Sequence, residues 1–145
     1  MKLDDFLTPD EQQRIVAAIA EAERKTSGEI RVHITPRCEG DPLEQAREVF
    51  AQLEMYKTRQ RNGILLFLAF ESRKFAIVGD EGIDRVVPDD YWDSERDTLV
   101  GFLKRGEAAR GIEGVINSFG EKLKAHFPIE ADDTDELSNE ISYAE

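Results

Sequence analysis

The sequence predicts an α/β protein, a three-layer α/β/α sandwich around a small mixed central sheet, and three observations carry that prediction. Ile64 to Phe70 is an unbroken apolar run. It is too short to cross a bilayer, and its length fits a strand covered on both faces. Glu29 to Thr35 alternates strictly, with Ile30, Val32 and Ile34 on one side and Glu29, Arg31, His33 and Thr35 on the other, which is the period of a strand with one polar face. Around these strands lie apolar stripes at helical spacing: Ile15, Val16, Ile19 and Ala22; Leu43, Ala46, Val49, Phe50 and Leu53; Ile112, Val115, Phe119, Leu123 and Phe127.

The elements follow in order. Thr8-Pro9-Asp10-Glu11 starts the first long helix, because Thr8 can cap, proline suits the first helical position and Glu11 completes a capping box. Ser27-Gly28 stops it, and the alternating strand follows. Asp41-Pro42 opens the second helix by the same logic. That helix joins the first strand to the apolar run, so the unit is expected to be a parallel crossover. The tight turn at Glu71-Ser72-Arg73 pairs the apolar run with Lys74 to Val78 as an antiparallel hairpin. Val86-Val87-Pro88 reads as a short fourth strand or the end of a loop. Asp89 to Asp93 reads as a helical turn, with Asp93 or Ser94 capping the next helix, whose core face is Leu99, Val100, Phe102 and Leu103. Gly106 ends that helix, and the longest helix is expected over residues 107–127, closed by Pro128. Gly111, Gly114 and Gly120 within it fit close helix packing.

Composition bounds the function. The 145 residues make one α/β domain over residues 1–128 and an acidic tail over 129–145, with 40% hydrophobic and 34% charged residues. The formal charge of −12 argues against nucleic acid and anionic membrane as partners. More than half of that excess lies in the tail, which carries seven acids and no base. Its composition predicts disorder, although Leu137, Ile141 and Tyr143 offer anchors for docking. A lone cysteine, Cys38, excludes an internal disulfide and suits a reducing compartment. The acidic start lacks the basic, apolar pattern of a secretory signal, so the expected location is cytoplasmic.

The candidate site is the loop after the hairpin, Gly79-Asp80-Glu81-Gly82-Ile83-Asp84. Its two glycines permit positive φ and close approach to a ligand. Hard cations such as Ca²⁺ or Mg²⁺ take several oxygen ligands from a bent loop, and Asp80, Glu81 and Asp84 offer them. Asp89, Asp90 or Asp93 can reach in from the following turn. Glu29 joins the list by strand direction, since both parallel strands begin at the edge where the third strand ends. The alternative is a solvated turn with capping acids. His33 is either a general acid or ligand or an ordinary surface histidine, and His126 is explained by the negative end of its helix. Cys38 has no evident base beside it. Arg61 and Arg73-Lys74 fall at opposite ends of the central strand and cannot form one anion pocket. Tyr91-Trp92 is either a core anchor or a partner-facing pair.

Ser27-Gly28-Glu29-Ile30-Arg31-Val32, Arg61-Asn62-Gly63-Ile64-Leu65-Leu66, Arg73-Lys74-Phe75-Ala76-Ile77 and Gly79-Asp80-Glu81-Gly82-Ile83 together resemble the TPM domain family. Phe102, Gly106, Gly111, Ile112 and Gly114 are similar to its closing helices. The resemblance implies an α/β sandwich. The family includes chloroplast proteins of photosystem II repair linked to acid phosphatase activity, receptor-accessory proteins and bacterial members, and divalent-ion binding is associated with some. Where the membrane-anchored branch often has Asp-Asn-Gly, this chain has Arg61-Asn62-Gly63, which removes a carboxylate. It looks closer to a short soluble bacterial branch, to which the acidic tail is also similar. Three functions follow as expectations: a divalent-cation-binding module in protein assembly or repair, a metal-assisted phosphatase, and a metal-independent protein-interaction domain using the Tyr91-Trp92 turn and the tail.

Overall fold

The computed structural model describes residues 1–129 and 141–144. Helix α1 (Leu3–Phe6) is followed by α2 (Pro9–Glu23), β1 (Glu29–Thr35), α3 (Pro42–Gln52), a 3-10 turn at Met55–Lys57, β2 (Gly63–Ala69) and β3 (Lys74–Gly79). Then come α4 (Glu81–Asp84), α5 (Tyr91–Lys104), α6 (Ala108–His126) and β4 (Ser142–Tyr143). The caps are those the sequence implies. Thr8 Oγ1 accepts from the Glu11 amide at 3.1 Å while Glu11 Oε1 accepts from the Thr8 amide at 2.9 Å. Asp41 accepts from the Leu43 amide at 3.1 Å, with Pro42 in the first turn.

The sheet order is β3-β2-β1-β4. β1 and β2 are parallel, with Glu29 opposite Gly63 and Thr35 opposite Ala69. β2 and β3 form the expected hairpin, with Ile64 opposite Gly79 and Ala69 opposite Lys74. Every residue of β2 is buried. Ile64, Leu66 and Leu68 join Ile30, Val32 and Ile34 in a core under α2, α5 and α6. Leu65, Phe67 and Ala69 pack on the other face with Ala46, Val49 and Phe50 of α3. That is the α/β/α sandwich. Burying an Ile, Leu or Phe side chain contributes roughly 1.5–3 kcal/mol, so the two-faced β2 is the main store of apolar stabilisation per residue.

Of the two readings of Val86-Val87-Pro88 the loop holds, with Val87 tucked into the core from a turn. Three expectations are corrected. Helix α5 begins at Tyr91, with Asp90 in the cap position, and not after Asp93 or Ser94, because the Tyr91 amide donates to the Pro88 carbonyl at 3.0 Å and the turn runs straight into the helix. The polar side of β1 is not a solvated face. Glu29 is buried and His33 half-buried, with His33 stacked on Phe67 of β2 and β4 alongside. Finally, β4 joins the sheet in parallel to β1 at His33 and Ile34, so the end of the acidic tail carries structure that its composition does not predict. Ile141 packs against the core, as its anchoring role implies, whereas Leu137 lies outside the described residues. Gly111 and Gly120 do serve close packing: a Cβ there would come within 2.6 Å of Phe102 and 2.7 Å of Ala22, while Gly114 faces open space.

Candidate functional site

The acidic loop becomes α4, a single turn at the end of β3. Asp80 occupies its cap position, only 7% exposed, and its Oδ1 accepts from the Glu81 amide at 2.8 Å. Arg61, at the entry to β2, closes on the same carboxylate with two bonds, Nε to Oδ2 at 2.8 Å and Nη2 to Oδ1 at 3.0 Å. A planar guanidinium matches a carboxylate in this two-bond geometry. Its third nitrogen lies 3.4 Å from Glu81. The hydrogen bond it donates to Asp80 raises the Arg61 guanidinium above its ordinary range. Asp84 accepts from the Trp92 indole at 2.8 Å, and Asp93 pairs with Arg96 at 2.9 Å. Asp89 lies exposed in the turn before α5. Glu29 is buried at the start of β1. The structure therefore brings Asp80 and Glu81 together around a guanidinium and gives Asp84 and Asp93 partners of their own. Among the described residues, no three His, Cys, Asp or Glu side chains form a group able to hold a metal ion.

The two loop glycines serve a purpose different from the expected one. Neither has positive φ. A Cβ on Gly82 would sit 2.0 Å from the Gln60 carbonyl oxygen, and the Gly82 amide donates to the Arg61 carbonyl at 2.8 Å. A Cβ on Gly79 would sit 2.3 Å from the Trp92 ring. The close approach is to the protein itself.

Beside this corner runs an open sheet edge. The Asp80 amide donates to the directly opposed Gly63 carbonyl at 2.9 Å, which fixes the alternation of the β2–β3 ladder. Lys74, Ala76 and Val78 then turn their backbone groups toward β2, and Phe75, Ile77 and Gly79 turn theirs outward. Among the described residues those outward groups have no hydrogen-bond partner. They line a cavity of about 480 Å³, with Leu43 and Arg47 of α3 on one side and Trp92 and Arg96 of α5 on the other. Sequence reading missed this site, since which edge stays bare depends on sheet order; the signal available was the weaker burial of β3 beside β2.

Tyr91 and Trp92 both pack against the core. Tyr91 is buried, its hydroxyl 2.8 Å from Ser118 Oγ, and burial pushes its pKa up. Trp92 packs edge-on against Tyr91 at 5.0 Å and walls the β3 groove. His33 stacks on Phe67 at 6.0 Å, with its Nδ1 buried and without a hydrogen bond among the described residues. Cys38 is buried in the α3-side core, and His126 is exposed at the end of α6.

Comparison with known proteins follows the same lines. A solution structure determined by NMR, that of the BA42 protein from the psychrophilic bacterium Bizionia argentinensis, is 43% identical and superposes with a TM-score of 0.89 over 99% of each chain. The N-terminal domain of the cg2496 protein from Corynebacterium glutamicum shares the fold at 16% identity, with a TM-score of 0.56 over 87% of this chain and 76% of that one. No curated protein matches. Among the described residues no helix is long and apolar enough to cross a membrane. The TPM domain profile matches residues 1–122, and the chain belongs to the TPM domain family.

Proposed function

We propose that this TPM domain is a protein-interaction module that takes an extended peptide as an added strand on β3. The observation that carries the reading is the bare backbone of Phe75, Ile77 and Gly79 at the floor of a two-walled groove. Strand addition draws affinity from main-chain hydrogen bonds and specificity from alternate side chains. The peptide that fits sets one alternate series of residues against Phe75, Ile77 and Trp92 and the other series against Leu43 and Val78. Trp92 is the sole tryptophan, so its emission reports the groove directly. Titration with a seven-residue peptide of alternating valine and threonine is expected to give a saturable change in emission, with amide shifts at Phe75, Ile77 and Gly79. A proline at the central pairing position is expected to abolish both. Shifts that bypass β3 would sink the reading.

A second reading keeps the divalent cation, Ca²⁺ or Mg²⁺, at Asp80, Glu81 and Asp84, with Glu29, Asp89 and Asp93 as further donors. It is supported by the near-complete burial of the Asp80 carboxylate, whose countercharge is Arg61. The ion would have to displace that guanidinium. A metal-assisted phosphatase depends on the same displacement, since the ion would polarise a phosphoryl oxygen. Calcium and magnesium titrations of the wild type and Arg61→Gln decide it: tighter binding in the variant supports the competition, and no saturable shift in either removes both metal readings. A reducing, cytoplasmic location accompanies these readings as a proposal resting on the single cysteine.

A further inference from the structure

At the opposite end of the hairpin a second cavity, of about 670 Å³, lies beside the β2–β3 turn. We propose that it binds a free fatty acid, the carboxylate on Arg73 and Lys104 and the chain among Phe6, Phe70, Phe75 and Leu103. The volume is in the range of small-molecule sites, and apolar walls with a few converging charges are the usual make-up of such sites. Arg73, Lys74 and Lys104 stand at the rim, and among the described residues no Asp or Glu lines the cavity, in a chain where acids outnumber Lys and Arg by 31 to 19. Lys74 is occupied, its Nζ donating to the Gly40 carbonyl at 2.9 Å. Arg73 and Lys104 have no carboxylate partner among the described residues.

The floor is aromatic. Phe6 stacks on Phe70 at 5.3 Å, and Phe75 continues the surface. Inorganic phosphate would satisfy the rim and leave these walls wet, whereas an alkyl chain removes apolar surface from water on both partners. An anionic bilayer is repelled by the formal charge of −12. Arg73 also holds φ at +55°, a region that side chains seldom adopt, so the hairpin turn keeps its guanidinium at this end of the sheet at some conformational cost. The inference is independent of the peptide groove, with which the cavity shares only Phe75.

The test is an NMR titration of the full chain with dodecanoate below its micellar concentration, run beside dodecanol, inorganic phosphate and phosphatidylglycerol vesicles. Saturable amide shifts at Phe6, Phe70, Phe75 and Leu103 are expected with dodecanoate. Dodecanol is expected to bind about ten-fold more weakly, the value of one charge-assisted hydrogen bond. Arg73→Gly suits the turn, and Lys104→Gln lies on an exposed helix end, so both variants keep the fold; each is expected to weaken dodecanoate by a similar factor. Equal binding of dodecanol, unchanged affinity in both variants, absence of saturation, or shifts confined to Ile77, Gly79 and Trp92 would each overturn the proposal. So would binding to the vesicles with no response to free dodecanoate.

Discussion

Arg61 and Arg73 stand at either end of β2 and hold the same unusual backbone, φ +54° and +55°. One is bound by two hydrogen bonds to a buried carboxylate, and the other faces a cavity with no acid among the described residues of its walls. The same residue type and conformation thus serve opposite ends. At the first, the charge is consumed in joining the loop before β2 to the turn after β3. At the second, it is left for something outside the chain. Counting basic residues along the sequence does not separate the two cases; the partner across the sheet does.

The closed end is expected to break most readily. Gly82→Ala forces a Cβ against two backbone carbonyls that cannot swing away, and about 3 kcal/mol of destabilisation is expected in urea unfolding. If that variant unfolds like the wild type, the corner is looser than described. Asp80→Ala removes both the cap of α4 and the seat of Arg61, for roughly 2 kcal/mol by the same measurement. Arg61→Gly and Arg73→Gly sharpen the contrast by their signs. Both relieve a left-handed side chain, yet the first strands Asp80 and lowers stability. The second has no ion pair to lose among the described residues, so relief of ~1–2 kcal/mol less the greater chain entropy of glycine leaves a gain of about 0.5 kcal/mol. A loss at Arg73 would mean that its guanidinium is held in the structure after all.

Between the two ends, His33 links the sheet to pH. Burial first, and then Arg31, lowers its pKa below the usual 6.5. The unfolded chain therefore takes up the proton more readily, so stability is full above about pH 6.5 and falls as pH drops from there through the folded value. Glu95 acts in the opposite sense, because burial raises its pKa and favours the folded state at acid pH. The difference between wild type and His33→Gln isolates the histidine. Melting temperatures at pH 7.5 and 5.5 are expected to show a smaller acid loss in the variant, and an equal loss would assign the effect elsewhere.

Much of the fold is legible in the residues. Thr8 and Glu11, Asp41 and Pro42, the alternation of β1 and the apolar run of β2 each announce a local structure through local physics. What the sequence hides is what depends on register. Arg61 and Asp80 are 19 positions apart and meet only because Ile64 lies opposite Gly79. Without that pairing Asp80 reads as a free ligand donor, and the acidic loop looks like an ion's seat. The glycines mislead for the same reason, since the groups they make room for, Trp92 and the Gln60 carbonyl, lie elsewhere in the chain. The starting point of α5 is ambiguous in the sequence because Asp89, Asp90, Asp93 and Ser94 offer several equivalent caps, and the Pro88 carbonyl chooses among them.

Because Ser142 and Tyr143 supply the neighbour of β1, a ribosome must deliver everything from α3 to β4 before that flank of the ribbon is shielded. Until then β1 and β3 both stay bare, which invites edge-to-edge association of nascent chains.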